Sequence, residues 1–275
     1  MLRVGIVGCG VIGAKHAEVY REHGAQVVAV ADVMADRRDA LASRMEARPY
    51  ADFPEMIAAE RLDIVSVCSP PAGHTAPVLA AAGRGCHVFC EKPMALILAE
   101  AKEMYRACRA AKVALGIGFK MRYEAAFGAA KQVISEGLIG KPELVYITYF
   151  QPKPKIPWYL EIGTLRDNLV HAIDVMVWFL GQEPQTVTAR LARRFNPNAE
   201  DLAHLWIEFQ EGHGSISGGY FDEFPPVGGS DDICFQVLGP RGYVAGKRPS
   251  WLTLVTTRGL EERTLAVADG FRGEL

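Results

Sequence analysis

The chain has 275 residues, of which 49% are hydrophobic and 23% are charged, and its formal net charge is −2. This length and apolar content are sufficient for two domains, each with its own core. Basic residues occur as short pairs, Arg37-Arg38 and Arg193-Arg194. Because phosphate backbones are bound by longer basic clusters, this charge distribution argues against nucleic acid as a partner.

The apolar runs are well below the roughly 20 residues that cross a bilayer, and the N-terminus leads directly into a strand pattern. We therefore expect no membrane partner, no signal peptide and a cytoplasmic location. The six cysteines, at positions 9, 68, 86, 90, 108 and 234, show neither Cys-x-x-Cys nor Cys/His metal-ligand spacing. We expect reduced thiols, no disulfide and no metal.

The first 120 residues alternate short β-branched runs with amphipathic, alanine-rich stretches. The strand candidates are residues 2–7, 26–31, 64–68, 87–90 and 114–118. The helix candidates are residues 11–23, 36–44, 53–59, 75–84 and 95–111. This alternation is typical of an α/β domain with a doubly wound parallel sheet, and it predicts a dinucleotide-binding Rossmann domain over residues 1–121.

The pattern changes in residues 122–275. Helix candidates at 124–136 and 167–180 flank a strand candidate at 143–151. Further strand candidates follow at residues 203–209, 215–220, 233–238, 251–257 and 261–266. This order predicts an α+β domain with a mainly antiparallel, open-faced sheet. Prolines 152, 154 and 157 predict a stiff loop before the second helix, where it could close over a cofactor crevice.

A glycine fingerprint follows the first predicted strand and opens the first helix. A purely structural turn is the alternative, but the strand-to-helix context favours dinucleotide binding. Asp32 follows at the end of the second strand, where a carboxylate accepts hydrogen bonds from ribose hydroxyls and disfavours a 2′-phosphate. NAD is therefore the expected cofactor, while Arg37 and Arg38 leave NADP open. The fingerprint is Gly8, Cys9, Gly10, Val11, Ile12 and Gly13.

The tripeptide Glu91-Lys92-Pro93 follows the apolar run of residues 87–90. In a doubly wound sheet, the carboxyl ends of the later strands line the crevice over the cofactor's reactive ring. This position predicts a lysine near a bound nicotinamide, where it can take part in proton chemistry. Pro93 could fix the backbone so that Lys92 points inward, or it could simply mark a helix start.

Asp167 and His171 are four residues apart, so a helix would place both on one face. Two structural alternatives stay open, because an aspartate at a helix start is often a cap and a lone histidine is often a core residue. Asp174 continues the same face, and we expect it to pair with a buried donor rather than to act in chemistry.

Together these motifs resemble the Gfo/Idh/MocA oxidoreductases, which are NAD(P)-dependent dehydrogenases of sugars, inositols and related polyols. The resemblance spans nearly the whole chain. It is carried by the glycine fingerprint with His16 downstream, Cys68-Ser69-Pro70-Pro71 with His74, Glu91-Lys92-Pro93-Met94-Ala95, Gly118-Phe119-Lys120-Met121-Arg122-Tyr123, and Asp167, His171 and Asp174.

The resemblance implies that Lys92 is a catalytic lysine, His171 the general acid/base and Asp167 a substrate-orienting carboxylate. It also implies association as a homodimer or homotetramer through the open sheet face. The residues assigned to the cofactor crevice beside the fingerprint, Asp32 and Lys92 are Ser69, Pro70, His74 and Glu91. The residues assigned to the substrate side are Tyr123, Trp158 and Arg166.

Three departures from the family pattern modify these expectations. Glu161-Ile162-Gly163 stands where members have a glycine run, and Leu169 stands where a glycine is usual. We expect bulkier groups there to leave less room for a sugar ring, or Glu161 to lie against the substrate. The third departure is length, because members commonly continue beyond a segment like residues 270–275 with a helix that packs back onto the first domain. Either the sequence is incomplete at this end or the protein lacks that helix. Residues 270–275 look like the beginning of an amphipathic helix with no stop signal, so we expect the sequence to be incomplete.

Two classes of function remain in play. The first is a dehydrogenase that moves hydride between NAD and a polyol hydroxyl, and the second is a cofactor-sensing regulatory protein on the same fold. A sensor has no need for both Lys92 and His171, so their presence favours the enzyme. A flavoprotein would explain the glycine fingerprint but neither of these two residues.

Overall fold

In the computed structural model, the described residues are 1–221, 232–248, 250–257 and 259–266. The chain forms two compact units, one covering Met1–Phe119 and the other beginning at Lys120. This division falls two residues before the predicted domain boundary at 121/122. The helix start predicted at residues 270–275 lies outside the described residues.

The first unit contains a six-stranded parallel sheet with the order β3-β2-β1-β4-β5-β6. Its strands are β1 (Arg3–Val7), β2 (Gln26–Ala31), β3 (Arg48–Tyr50), β4 (Ile64–Val67), β5 (His87–Cys90) and β6 (Leu115–Ile117). Its helices are α1 (Val11–Glu22), α2 (Ala35–Met45), α3 (Phe53–Ala59), α4 (Thr75–Gly83) and α5 (Leu98–Ala111). The strand order reverses between β1 and β4, which is where such a sheet opens a crevice at its carboxyl edge.

The apolar strands of this sheet are buried in two hydrophobic clusters. One cluster contains Val4 and Ile6 of β1 with Tyr20 of α1, and the other contains Val65 of β4 with Met104 of α5. Two clusters are expected when helices cover both faces of a parallel sheet. The predicted Rossmann architecture is therefore confirmed. Strand β3 was missed because it has three residues and no apolar run.

The second unit contains an eight-stranded sheet with the order β14-β13-β12-β11-β7-β10-β9-β8. Its strands are β7 (Leu144–Pro152), β8 (Pro184–Ala192), β9 (Leu202–Phe209), β10 (His213–Phe221), β11 (Asp232–Gly239), β12 (Gly242–Lys247), β13 (Trp251–Thr256) and β14 (Gly259–Thr264). Its helices are α6 (Ala125–Ser135), α7 (Pro157–Asp167) and α8 (Leu169–Leu180). Strands β7 and β10 pair in parallel and the other neighbours pair antiparallel, which confirms the mainly antiparallel prediction.

One face of this second sheet carries the core. Along β9, residues Ala203, Leu205, Ile207 and Phe209 are buried while the intervening residues are exposed or half-buried. The buried residues join side chains of α6 and α8 in a single cluster. This alternation confirms a sheet packed on one face. Among the described helices of both units, none is long and apolar enough to span a bilayer.

The segment before α8 differs from the prediction. Pro152 ends β7 and Pro157 opens α7, so a helix occupies much of the predicted stiff loop. Proline is tolerated in the first turn of a helix, where its missing N–H has no partner to lose. Asp167 is the last residue of α7, and α8 begins at Leu169. The single helix predicted over residues 167–180 is therefore shorter at its start.

Candidate active site

The turn between β1 and α1 uses its three glycines for different purposes. Gly8 has a φ of +93°, and a Cβ there would lie 2.6 Å from the backbone nitrogen of Ser69. A Cβ on Gly13 would lie 1.8 Å from the carbonyl oxygen of Gly8. At Gly10, by contrast, a Cβ would meet no described atom within 4 Å. The chain itself requires glycine at 8 and 13, whereas Gly10 borders open space.

The N-terminus of α1 fits a dinucleotide for a second reason. Its N-cap is Gly10, no side chain caps it, and its first turn has no acidic residue. Backbone N–H groups at such a terminus bind phosphate, and the helix dipole favours negative charge there. Val11 is 86% exposed beside them. The open space at Gly10 and the uncapped helix end are what a pyrophosphate needs in order to approach the backbone.

Asp32 lies directly after β2, and its carboxylate is tied to the same turn. One oxygen accepts the backbone N–H of Cys9 at 2.7 Å, and the other accepts that of Met34 at 2.8 Å. Val33 and Met34 beside it are 85% and 52% exposed. Asp32 therefore supports the glycine turn and also lies where apolar surface is open to a ligand.

Glu91 is buried immediately before the half-buried Lys92. Its carboxylate accepts the backbone N–H of Lys92 at 3.0 Å and lies 3.2 Å from Nε2 of His16. Nδ1 of His16 lies 2.9 Å from Oγ of Ser66 and 3.2 Å from Sγ of Cys68. Sequence reasoning noted His16 and Glu91 in separate motifs but missed their contact, because 75 residues separate them.

This contact links the charges of the two side chains. Burial opposes the charged form of His16, but Cys68 and Glu91 outweigh it and raise the pKa of His16 to about 10. Burial likewise opposes the charged form of Glu91, but the hydrogen bond and charge of His16 outweigh it and lower the pKa of Glu91. The two side chains therefore form a buried ion pair at neutral pH.

The loop after β4 carries the remaining residues assigned to the crevice. Pro70 is exposed, and Ser69 donates its hydroxyl to the carbonyl of Gly73 at 3.1 Å. His74 is 1% exposed, and its ring nitrogens lie 3.0 Å from the carbonyl oxygen of Pro93 and 2.8 Å from that of Ser69. The His74 ring is therefore used inside the domain rather than on its surface.

In the second unit, Asp167 is 4% exposed and is held by residues of two paired strands. Its Oδ2 accepts the hydroxyl of Tyr220 at 2.7 Å and the amide of Gln151 at 3.2 Å. Tyr220 of β10 and Gln151 of β7 are register partners. Burial and the nearby Asp167 carboxylate raise the pKa of the Tyr220 hydroxyl, so it remains a hydrogen-bond donor. Sequence reasoning missed both residues.

His171 is 3% exposed in the first turn of α8, and its backbone N–H donates to the carbonyl of Asn168 at 3.1 Å. Asn168 lies between α7 and α8, and its side-chain carbonyl accepts the hydroxyl of Thr164 at 2.6 Å. Asp167 ends α7 and His171 lies in α8, so the prediction that one helix carries both residues on one face was wrong. Within the described residues, no group of three or more His, Cys, Asp or Glu side chains is arranged to hold a metal ion.

Both units of the chain match models of known protein families. Residues 2–119 match a model described as an oxidoreductase family with an NAD-binding Rossmann fold, and residues 127–245 match the Gfo/Idh/MocA C-terminal domain. The chain belongs to the Gfo/Idh/MocA family. The family membership predicted from the motifs is confirmed, and residues 2–119 form its NAD-binding domain.

Inositol dehydrogenases are among the relatives. The chain is 34% identical to myo-inositol 2-dehydrogenase of Thermotoga maritima over 68% of this chain and 58% of that protein. It is 31% identical to inositol 2-dehydrogenase 3 of Saccharopolyspora erythraea over 88% of this chain and 72% of that protein. The match to the first covers less than two thirds of that relative's length. An NAD-binding oxidoreductase structure from Klebsiella pneumoniae shares the fold, with a TM-score of 0.86, 24% identity, and coverage of 96% of this chain and 80% of that one.

Gly163 is the glycine of the segment Glu161-Ile162-Gly163. It has a φ of +77°, and a Cβ there would lie 2.5 Å from a carboxylate oxygen of Glu200. The same oxygen accepts the backbone N–H of Leu165 at 3.0 Å. The kink within α7 thus lies at Gly163, and its left-handed backbone conformation favours glycine there.

Leu169 does not act as expected. It is fully buried in the core of the second unit, so the expectation that it narrows a substrate pocket was wrong. A Cβ on Gly218 of β10 would lie 2.5 Å from Cδ2 of Leu169. The glycine at 218 therefore makes room for the leucine at 169. Glu161 is exposed, and its predicted role against the substrate stays a prediction.

The residues assigned to the substrate side lie on two elements. Tyr123 ends a short 3-10 helix and is 49% exposed. Trp158 is half-buried and stacks on Tyr159 with ring centroids 3.7 Å apart, and Arg166 is exposed near the end of α7. Their contact with substrate stays a prediction.

Asp174 was expected to pair with a buried donor; it does pair with a donor, but that donor, Arg122, is half-buried. Nε of Arg122 donates to Asp174 at 2.8 Å, and a second guanidinium nitrogen contacts the other carboxylate oxygen. Arg122 lies beside Tyr123 on the 3-10 helix, so this bidentate pair fixes that helix to α8. Asp174 thus has a structural task in the second unit.

Proposed function

We propose that this chain is an NAD-dependent dehydrogenase that acts on a secondary alcohol, or in reverse on the ketone, of an inositol, a sugar or a related polyol. The observation that carries the proposal is the presence of an open dinucleotide turn and the half-buried Lys92 at the carboxyl edge of one sheet. The inositol class is supported by the names of the relatives from Thermotoga and Saccharopolyspora.

Bound NAD supplies the acceptor or donor of the hydride at its nicotinamide C4. The backbone of Gly10 and the N-terminus of α1 would hold its pyrophosphate. Each oxygen of Asp32 accepts one backbone N–H and keeps a lone pair for a ribose hydroxyl. A 2′-phosphate would meet like charge at Asp32, so we assign NAD rather than NADP as the preferred cofactor. Arg38, which could soften this preference, is already paired with Asp39 at 2.8 Å.

The residues of the chain handle the proton of the substrate hydroxyl. Histidine is the side chain best suited to exchanging a proton near neutral pH, and we assign His171 as the general acid/base. Lys92 would stabilise the developing alkoxide with its charge or, when desolvated, share the proton transfer. Asp167 would orient the substrate, a task that suits a carboxylate fixed by the donors Tyr220 and Gln151.

The proposal also includes an assembly and a location. We assign a homodimer or homotetramer that associates through the open face of the second sheet, on which Tyr146 is 40% exposed and Trp206 is half-buried. We assign a cytoplasmic location because all six cysteines are separate thiols, as is common in a reducing compartment.

The test begins with fluorescence titration of the purified protein with NADH and NADPH. Inositols, sugars, other polyols and sugar acids are then screened for absorbance change at the nicotinamide band. Tighter binding of NADH than NADPH, with turnover of one substrate class, is the expected result. Binding without turnover across the whole screen would contradict the enzyme and favour a cofactor-sensing regulator.

A further inference from the structure

His74 joins the two loops that flank the crevice of the first unit. Its side chain is 1% exposed, and its two ring nitrogens point at backbone carbonyl oxygens. Nδ1 lies 3.0 Å from the oxygen of Pro93, and Nε2 lies 2.8 Å from the oxygen of Ser69. The histidine therefore bridges the loop after β4 and the loop after β5 by contacts to main-chain atoms.

The contact to Pro93 bears directly on Lys92. On its N-terminal side, the backbone N–H of Lys92 donates to the Glu91 carboxylate at 3.0 Å. On its C-terminal side, the carbonyl of the following residue, Pro93, faces the ring of His74. The lysine thus lies between a clamp at Glu91 and a clamp at His74. Because the backbone is held on both sides, the starting point of the Lys92 side chain is fixed.

We propose that His74 is a positioning residue for Lys92, acting through the carbonyl of Pro93 and making no contact with cofactor or substrate. This inference rests on the proposed function, in which Lys92 meets the reacting hydroxyl. A displacement of about 1 Å in a catalytic group can lower turnover by about 100-fold, so a backbone clamp one residue away is sufficient to control the rate.

The protonation of His74 decides how the clamp works. A neutral ring has one N–H and donates to one carbonyl, whereas the imidazolium donates to both. Burial lowers the pKa of His74, while the carbonyls of Ser69, Pro93 and Met94 and the charge of Glu91 act in the opposite direction. Because a neutral ring donates to only one carbonyl, the contacts of His74 to Ser69 and to Pro93 can be altered separately. The contact to Pro93 is the one that bears on the position of Lys92.

Two conservative variants separate these contacts. The amide nitrogen of His74→Asn occupies the place of Nδ1 and can still donate to Pro93. The amide nitrogen of His74→Gln occupies the place of Nε2 and can still donate to Ser69. We expect His74→Gln to lower kcat by about 10-fold to 100-fold with NADH affinity within about twofold of wild type, and His74→Asn to keep kcat within about threefold.

A second measurement needs no substrate. Hydrogen–deuterium exchange of a peptide covering residues 90–97 should rise in His74→Gln and remain near wild type in His74→Asn. Equal kcat in wild type and His74→Gln would overturn the inference. So would equal losses of kcat, NADH affinity and exchange protection in both variants, because that pattern indicates general support of the fold. Absence of wild-type turnover would instead count against the proposed function, and the exchange comparison would still test the clamp.

Discussion

Each of the two units buries one carboxylate beside its share of the predicted catalytic residues, and the two carboxylates have different partners. Glu91 precedes Lys92 and pairs with the imidazole of His16 at 3.2 Å. Asp167 precedes His171 by four residues and accepts hydrogen bonds from the neutral side chains of Tyr220 and Gln151.

The difference in partners indicates which carboxylate supports the fold and which takes part in the chemistry. A buried carboxylate next to a histidine whose pKa is raised has its charge compensated inside the protein, and removing either partner leaves the other buried without it. Neutral donors such as Tyr220 and Gln151 fix the orientation of a carboxylate without bringing a charge of their own to it. We therefore expect Glu91 to hold the first unit together and Asp167 to act on the substrate.

The largest expected effect is a difference in unfolding free energy between variants of Glu91 and of Asp167. Glu91→Gln should lower the free energy of unfolding by about 3 kcal/mol, because it breaks a buried ion pair. Asp167→Asn should lower it by about 1 kcal/mol, since an amide can keep part of the hydrogen bonding. Urea unfolding of both variants measures the difference. Similar losses would remove the distinction between the two sites.

The pH dependence of unfolding sharpens the same contrast. The pKa of His16 is raised from its ordinary value of 6.5 to about 10, so its contribution to stability is complete below pH 6.5 and is lost as the pH rises through 10. Urea unfolding of wild type should therefore weaken between pH 6.5 and 10, and His16→Asn should lack this part of the decline. The exposed His23 provides a matched control, since His23→Asn should decline as wild type does. Identical slopes in wild type and His16→Asn would contradict the ion pair.

The sequence predicted those parts of the candidate site that depend on local geometry. The glycine turn could be predicted because Gly8, Gly13 and the start of α1 lie within one strand-to-helix connection. The contacts of the two carboxylates could not, since 75 residues separate His16 from Glu91 and 53 separate Asp167 from Tyr220. Tyr220 meets Asp167 because α7 packs against β10, and these two elements are far apart in the sequence.

The errors in the fold have similar causes. Helix α7 was missed because three closely spaced prolines favour a loop, although proline suits a first helical turn. Strand β8 was missed because its residues are almost all exposed and give no apolar alternation to detect. The burial of Leu169 could not be foreseen, because the space for it is provided by Gly218, 49 positions later in the sequence.

Turnover measurements test the proposed catalytic roles of Lys92 and His171. Lys92→Ala and His171→Ala should each lower turnover by about 100-fold or more with NADH affinity nearly intact, as expected for removal of an acid/base group. His23 is an exposed histidine directly after α1 in the first unit, and His23→Ala should keep turnover near wild type. Steady-state kinetics and NADH titration measure both quantities. Unchanged turnover in either variant would remove that residue from the mechanism.

The smallest expected effect concerns the support of Asp167. Tyr220→Phe removes the hydroxyl that donates to Asp167 at 2.7 Å and leaves the buried ring in place. One hydrogen bond to a charged group contributes about 1.5 to 3 kcal/mol, but Gln151 still donates to the same oxygen, so we expect a loss of about 1 kcal/mol in unfolding free energy. Turnover should fall by less than about 10-fold, because the carboxylate keeps its charge and loses only part of its orientation. Tyr105→Phe, at an exposed tyrosine of α5 in the first unit, should change neither quantity. A turnover loss in Tyr220→Phe as large as that of His171→Ala would mean that the Tyr220 hydroxyl itself takes part in the chemistry. Its role would then not be limited to orienting the Asp167 carboxylate.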